Sequence, residues 1–207
     1  MAHLVKKILS CFICRKIFSY VMLCLWELTG RKMAPPNIIK RRVVKKYGKL
    51  FSLKVFIETG TLFGDTVDAV KNMFDRIFSI ELDEELYEKA KKRFEKFGHI
   101  SILQGDSGKV LPELLPTISE PCLFWLDGHY SSWGTAKGQL EAPIIMELTC
   151  ILNHPVKNHV ILIDDARLYI GKGDWPDIKE FKAKILDKYP DFVFEVEGDI
   201  IRIHHRR

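Results

Sequence analysis

Cysteine is scarce in this 207-residue chain: there are five, at Cys11, Cys14, Cys24, Cys122 and Cys150. Cys11 and Cys14 have the C-x-x-C spacing, but no second pair or nearby histidine completes a structural metal site. Cys122 and Cys150 lie in apolar runs, where thiols are commonly buried and inert. Reduced cysteines in a cytoplasmic protein are therefore expected, with lipidation of the N-terminal thiols as the lesser alternative. A long uninterrupted hydrophobic run is also missing. Residues 8–26 (ILSCFICRKIFSYVMLCLW) come nearest, but Arg15-Lys16 divides them. Each such charge at mid-bilayer costs roughly 2.5–3.5 kcal/mol. The remaining run, Ile17–Trp26, is interrupted by Ser19 and is too short to span a membrane. No small-residue cleavage site follows, so a secretory leader is not expected.

Acidic residues are nearly absent from the first fifty positions. Glu27 stands alone there against 12 Lys/Arg, a net of +11, whereas residues 51–207 hold 20 basic and 26 acidic residues, a net of −6. The formal charge of +5 thus averages a basic arm (1–50) and an acidic body (51–207). A basic arm suits an anionic partner, either lipid headgroups or nucleic acid, unless it is simply a solvated leader. On a helical wheel Lys6, Lys7 and Ser10 share one face and Arg15, Lys16 and Ser19 another. One amphipathic helix does not account for both faces. A bent or two-piece helix lying on a membrane surface would, and so would packing on the body or on a second subunit. Pro35-Pro36 closes this segment, and the basic stretch Lys40–Lys49 leads into the body.

The body contains five short hydrophobic runs that each end on a carboxylate: VFIETG (Val55–Gly60), IFSIELD (Ile77–Asp83), ISILQGD (Ile100–Asp106), LFWLDGH (Leu123–His129) and ILIDDA (Ile161–Ala166). Runs of this length, separated by helix-like stretches, read as parallel strands buried on both faces. In such sheets ligands bind at the carboxyl ends of the strands, so the acids line one crevice. An apolar content of 47% suits a globular α/β core.

The first strand, Val55–Thr59, turns through Glu58-Thr-Gly60-Thr-Leu-Phe-Gly64-Asp65-Thr66 into a helix expected to end near Phe74. Gly60 permits a tight turn and Gly64 a close backbone approach at the helix start. Strand two, Arg76–Leu82, ends on Glu81, 21 residues after Gly60, an offset at which a carboxylate grips a ribose diol. The alternative for Glu81 is a surface acid opening the next helix. Glu84–Phe97 reads as an amphipathic helix with Leu86, Ala90 and Phe94 inward. Strand three, Ile100–Gln104, leads to Gly105-Asp106-Ser107, which suits an adenine edge or the N-cap of a helix over Lys109–Leu115.

Strand four, Cys122–Leu126, ends in Asp127-Gly128-His129-Tyr130, and strand five, Val160–Ile163, in Asp164-Asp165. Three carboxylates at neighbouring strand ends suit Mg²⁺ or another hard cation; the alternative is that Asp164 or Asp165 caps a loop and Asp127 pairs with a basic side chain. His129 is a candidate general base or metal ligand. Tyr130, Trp133 and Trp175 are candidate pocket walls or ordinary packing, and the loops Ser131–Gly138 and Gly171–Pro176 suit a lid. A helix over Asp177–Tyr189 precedes two runs, FVFEVEG and DIIRIHH, that form a β-hairpin about a Gly-Asp turn.

From Leu53 onward these residues resemble the class I S-adenosylmethionine-dependent methyltransferases, whose seven-stranded, mostly parallel Rossmann-like sheet also ends in an antiparallel hairpin. Within that class the chain is most similar to small metal-dependent O-methyltransferases of the catechol type. The resemblance implies donor binding by Glu58, Gly60, Gly64, Thr66, Glu81, Asp106, Ser107 and Asp127, with Asp127, Asp164 and Asp165 as metal ligands. It also implies catalytic roles at Asp127 and, by position only, at His129. The family's motif I is similar to Glu58–Thr66, including a glycine pair with no middle glycine. Two departures stand out: the lysine base of the catechol type is missing, since no lysine follows Asp127 until Lys137, and the segment before the first strand, which helps form the substrate pocket in related enzymes, is here the basic arm. The implied activity is methylation of a hydroxylated acceptor (a glycan, a lipid-linked precursor or a small phenol), with S-adenosylmethionine as cofactor and Mg²⁺ assisting. A peripheral place on the inner membrane face is expected from the arm, nucleic acid is not the expected partner, and a homodimer is a candidate state. A nicotinamide oxidoreductase would prefer G-x-G-x-x-G, which Gly60–Gly64 does not give. A non-catalytic membrane- or nucleic-acid-tethered adaptor is the other rival.

Overall fold

Five runs with apolar residues at nearly every position can bury both faces only in the middle of a sheet. A computed structural model describes residues 12–30, 34–128, 143–173 and 175–206 and places four of them there, whereas the third run (Ile100–Gln104) forms a partly exposed edge strand and is not buried on both faces. The strands are β1 (Val55–Thr59), β2 (Arg76–Glu81), β3 (Ile100–Gln104), β4 (Cys122–Leu126), β5 (Val160–Ile163), β6 (Phe192–Glu197) and β7 (Ile200–His205). They form one seven-stranded sheet in the order β3-β2-β1-β4-β5-β7-β6. The pairings among β1 to β5 are parallel, and β7 runs antiparallel to both β5 and β6. The order reverses between β1 and β4, the topological switch point at which an open α/β sheet offers its crevice. β1, β4 and β5 are buried along their whole length, as the continuous apolar runs require. The hairpin turn at Gly198-Asp199 has positive φ at both residues (55° and 64°), the geometry that matches the right-handed twist of its strands.

The chain divides into two units, Met1–Val43 and Val44–Arg207. In the first, α1 (Phe12–Leu28) runs unbroken and leaves Ile17, Phe18, Tyr20, Val21, Leu25 and Leu28 exposed. Among the described residues no helix is long and apolar enough to cross a membrane. The basic helix α2 (Asn37–Leu50) begins after Pro36 and carries the unit boundary. Cys11 and the side chain of Cys14 lie outside the described residues.

In the second unit the helices are α3 (Asp65–Val70), α4 (Glu84–Phe94), α5 (Ser107–Leu114), α6 (Ile144–Asn153) and α7 (Ile178–Lys188). α3 stops four residues before the expected end near Phe74, because the chain turns there: the Met73 amide donates to Val70 O (2.8 Å) and the Asp75 amide to Lys54 O (2.8 Å) beside β1. α4 likewise ends at Phe94, where the Phe97 amide closes a tighter turn on Phe94 O (2.9 Å). Asp83, Asp106 and Asp177 cap α4, α5 and α7 by accepting backbone amides of the first turn.

Candidate functional site

The strand ends are tied to one another by single backbone hydrogen bonds. The Gly60 and Thr61 amides donate to Ile80 O of β2 (3.0 and 3.2 Å), and the Gly105 amide to Glu81 O (2.9 Å). On the other side the Asp127 amide donates to Thr59 O (3.1 Å) and the Asp164 amide to Leu126 O (3.0 Å). These bonds bring the turns after β1, β2, β3, β4 and β5 to one edge of the sheet. Gly60 is required by this closeness: a Cβ there would lie 2.5 Å from Asp127 O, and its φ is +85°. Gly64 (φ +70°) is required by packing, since a Cβ would meet the Phe94 ring at 2.6 Å. The start of α3 is further fixed by Arg93, which donates to Phe63 O and pairs with Asp65 (2.8 Å) and Asp68 (3.4 Å).

Glu81, at the end of β2, uses both carboxylate oxygens to hold the turns around it. Oε2 accepts the Leu62 amide (2.7 Å) and Oε1 the Asp83 amide (3.0 Å). Burial pushes its carboxyl above the usual range, and the two amides oppose that rise. A carboxylate accepts about four hydrogen bonds, so each oxygen retains capacity for a diol. Leu62, which occupies the middle of the turn between Gly60 and Gly64, adopts φ +51°, a left-handed conformation that a leucine seldom takes.

Glu58 sits beneath this turn, with the half-buried Thr66 at the start of α3 beside it. Glu58 is buried and receives hydrogen bonds from the hydroxyls of Ser79 (2.6 Å) and Thr66. Ser79 Oγ also lies 2.6 Å from Thr61 Oγ1, which extends the network into the turn. Asp106 caps α5 through the Gly108 amide (2.9 Å), and Ser107 is buried at the first turn.

Asp127, Asp164 and Asp165 converge, with a carboxylate oxygen from each inside a 4.8 Å cluster. Asp164 and Asp165 are buried and Asp127 is half-buried. Such an all-oxygen set suits a hard cation. The cluster is also tied to the protein: Asp164 Oδ1 accepts the Asp165 amide (2.8 Å), and Asp165 Oδ1 pairs with Arg167 Nη1 (2.7 Å). Arg167 bonds Asp199 as well, tying the end of β5 to the hairpin turn. A basic side chain thus reaches the cluster at Asp165. His129, Tyr130, Trp133 and the loop Ser131–Gly138 lie outside the described residues.

Sequence reasoning passed over three groups beside this cluster. Glu147, on α6, is 2% exposed although its helix is otherwise apolar on that side through Ile144, Leu148 and Ile151. A lone acid in an apolar i, i+3, i+4, i+7 stripe was the available signal. Tyr169 follows β5 and is 2% exposed, and its hydroxyl has no hydrogen-bond partner among the described residues. Its ring packs against Trp175 (5.2 Å between centroids) and Phe181 (5.3 Å). Thr59 Oγ1, fully buried at the end of β1, also has no partner among the described residues. Trp175 packs on Tyr169 and lines a small cleft beside it.

Neither a family model nor a curated protein matches the sequence. Solved structures do match the fold. The O-methyltransferase TomG from Streptomyces achromogenes, in complex with SAM, is 14% identical, with 91% of this chain and 89% of that chain covered at a TM-score of 0.61. An O-methyltransferase from Bacillus cereus in complex with SAH is 11% identical, covers 91% and 90%, and has a TM-score of 0.61. The SAH-bound methyltransferase PaMTH1 of Podospora anserina is 14% identical over 88% and 86%, with a TM-score of 0.57. The chain therefore has the Rossmann-like fold of the class I methyltransferases, a mostly parallel seven-stranded sheet finished by an antiparallel hairpin.

Proposed function

We propose that this protein is an S-adenosylmethionine-dependent methyltransferase that transfers a methyl group to a hydroxyl oxygen. The observation that carries the reading is Glu81, held by the Leu62 and Asp83 amides at the carboxyl end of β2, the neighbour of the switch-point strand β1 in a methyltransferase-type sheet. Its carboxylate would bind the donor's ribose, with Gly60 allowing the turn to approach and Asp106-Ser107 at the adenine side. Glu58, Thr66 and Gly64 would act from beneath by shaping the turn, and Asp127 would border the reacting end. The donor supplies the methyl group on a sulfonium. What the chain adds is alignment of that group with the acceptor oxygen in a closed crevice.

Asp127, Asp164 and Asp165 would hold a divalent cation such as Mg²⁺, which supplies Lewis acidity toward an acceptor oxygen. His129 is the candidate base by position. The acceptor classes that suit the reading are a glycan, a lipid-linked precursor or a small phenol. The adaptor alternative leaves the three aspartates and the Tyr169 hydroxyl without use.

The arm fits attachment to the anionic inner face of a membrane, because exposed Ile17, Phe18, Tyr20, Val21, Leu25 and Leu28 accompany its net positive charge. Co-sedimentation with phosphatidylserine vesicles, but not with neutral ones, is the expected outcome. Equal recovery with both, or with neither, would remove the membrane assignment.

The first experiment is calorimetric titration of S-adenosylmethionine with Mg²⁺ and again with chelator. Micromolar binding in both, with methyl transfer only when Mg²⁺ is present, is expected. A folded sample that binds neither the donor nor its demethylated product would overturn the reading.

A further inference from the structure

Beside the aspartate cluster, Glu147, Asp164 and Tyr169 line one small cleft with Ile144, Ile163 and Trp175. The cleft admits little more than one oxygen-sized group, and its walls are apolar apart from those three side chains. The Tyr169 hydroxyl is the informative atom. It is buried without a partner among the described residues, a placement that ordinarily costs the full desolvation of a hydroxyl. The ring cannot easily turn that hydroxyl elsewhere. Trp175 and Phe181 pack on it, the Tyr169 amide bonds Ala166 O (3.2 Å), and the Ile178 amide bonds Tyr169 O (3.1 Å). Burial opposes its ionisation first, and the nearby carboxylates of Glu147, Asp165 and Asp164 add to that, so the hydroxyl keeps its proton.

We infer that this cleft is the subsite for the acceptor's reacting group, and that it takes an uncharged hydroxyl which accepts a hydrogen bond from Tyr169 and donates one to Glu147. The inference rests on the methyltransferase reading for its role but not for its existence as a binding site. A hydroxyl carries one donor and two acceptor positions, which match a tyrosine O–H and a carboxylate. A carboxylate group has no proton to give, carries two oxygens into room for one, and faces Glu147 as a like charge. The cleft therefore selects alcohols and phenols over acids, and places the accepting oxygen beside Asp164 and one strand end from the donor crevice.

The test pairs phenol with benzoate, the same ring bearing a hydroxyl or a carboxylate, titrated into the full-length protein by ligand-detected NMR. Phenol is expected to bind the wild type in the millimolar range and benzoate at least tenfold more weakly. Tyr169→Phe and Glu147→Gln should each weaken phenol about 5- to 10-fold, the loss of one hydrogen bond. Tyr169→Phe should also leave the melting temperature unchanged or raise it by about 2–4 °C, since it removes only an unsatisfied hydroxyl. Equal binding of phenol and benzoate, no phenol binding, or unchanged phenol affinity in both variants would overturn the inference. So would a melting temperature lowered by Tyr169→Phe, because the hydroxyl would then have a structural partner. S-adenosylmethionine binding is measured in the same samples. Donor binding without phenol binding fails the subsite alone, whereas phenol binding without donor binding fails the methyltransferase reading and leaves the subsite standing.

Discussion

Ser79 Oγ lies 2.6 Å from Glu58 Oε2, and the two residues are direct register partners on adjacent parallel strands. Both are almost fully buried, and Ser79 passes the contact on to Thr61 in the turn above. Burial pushes the Glu58 carboxyl up to about 8; the Ser79 and Thr66 hydroxyls pull it down, and the charges of Glu81 and Asp65 raise it further. Glu58 is therefore a protonated, neutral group at physiological pH, a structural support below the donor turn.

That assignment has a pH signature. The folded carboxyl holds its proton up to about pH 8, while the unfolded one releases it near 4.5. Stability from this group is full below pH 4.5 and is lost as pH rises toward 8, on the order of 4 kcal/mol across the window. Glu58→Gln keeps the shape and cannot ionise. Urea melts should show the variant close to wild type at pH 4.5 and several kcal/mol more stable at pH 8.5. An identical slope in both proteins would show that Glu58 is charged in the native state.

A second buried pair works in the opposite direction, at the far end of the sheet. His159 Nδ1 accepts the Cys122 amide (3.0 Å), so its proton is on Nε2, which donates to His154 Nδ1 (3.0 Å). His154 Nε2 then donates to Leu115 O (2.9 Å). Burial, with smaller contributions from His154 and Lys157, pushes His159 down to about 4. Here the unfolded state takes the extra proton: the stability is full above pH 6.5 and is lost as pH falls through 4, about 3 kcal/mol in all. Histidine resonances followed by NMR should show His159 neutral at pH 5. Titration of His159 near 6.5 would break the assigned relay.

Leu62 offers a test of the missing middle glycine. Its left-handed backbone (φ +51°) aims its amide at Glu81 Oε2, at a conformational cost of about 1–2 kcal/mol for an L-residue. The residue is 37% exposed, so truncation gives up some packing against the relief of strain. Leu62→Gly should be neutral or stabilising by about 1 kcal/mol. Leu62→Val should destabilise by a similar amount and weaken the donor, because a β-branched residue resists φ > 0. If glycine destabilises the protein, the leucine side chain has a packing role that its exposure does not reveal.

The strands were legible because a run buried on both faces needs apolar residues at nearly every position, as VFIET, CLFWL and VILI have. Their terminal acids were legible for the same reason: a carboxylate ending such a run must lie at a sheet edge. What the sequence concealed was direction and depth. Glu58 and Glu81 look alike in sequence, yet one points under the turn to Ser79 and the other holds the turn's own amides. Gly64 reads as a ligand approach, but the space it leaves is filled by Phe94, thirty residues away. Glu147 and Tyr169 belong to a helix and a loop that no strand-end pattern marks, and only folding brings them to Asp164. Helix ends were misjudged where a turn had to deliver the next strand, a demand set by the sheet and not by local periodicity.

Glu81 is the residue on which the donor assignment turns. Glu81→Ala removes a ribose acceptor but also strands the Leu62 and Asp83 amides, so loss of binding in that variant mixes two causes. Glu81→Gln separates them. Its carbonyl oxygen still accepts one backbone amide, while the other position becomes an N–H₂ that faces the remaining amide and donates where a diol would also donate. The alanine variant should lose about 1–3 kcal/mol of stability and at least tenfold in donor affinity, and the glutamine variant less stability but a comparable share of the affinity. Asp164→Asn, by contrast, should spare donor binding and abolish turnover. Calorimetry on folded samples of all three reads the difference directly. Wild-type donor affinity in Glu81→Gln would detach the carboxylate from the ribose and leave it a purely structural clasp of the turn.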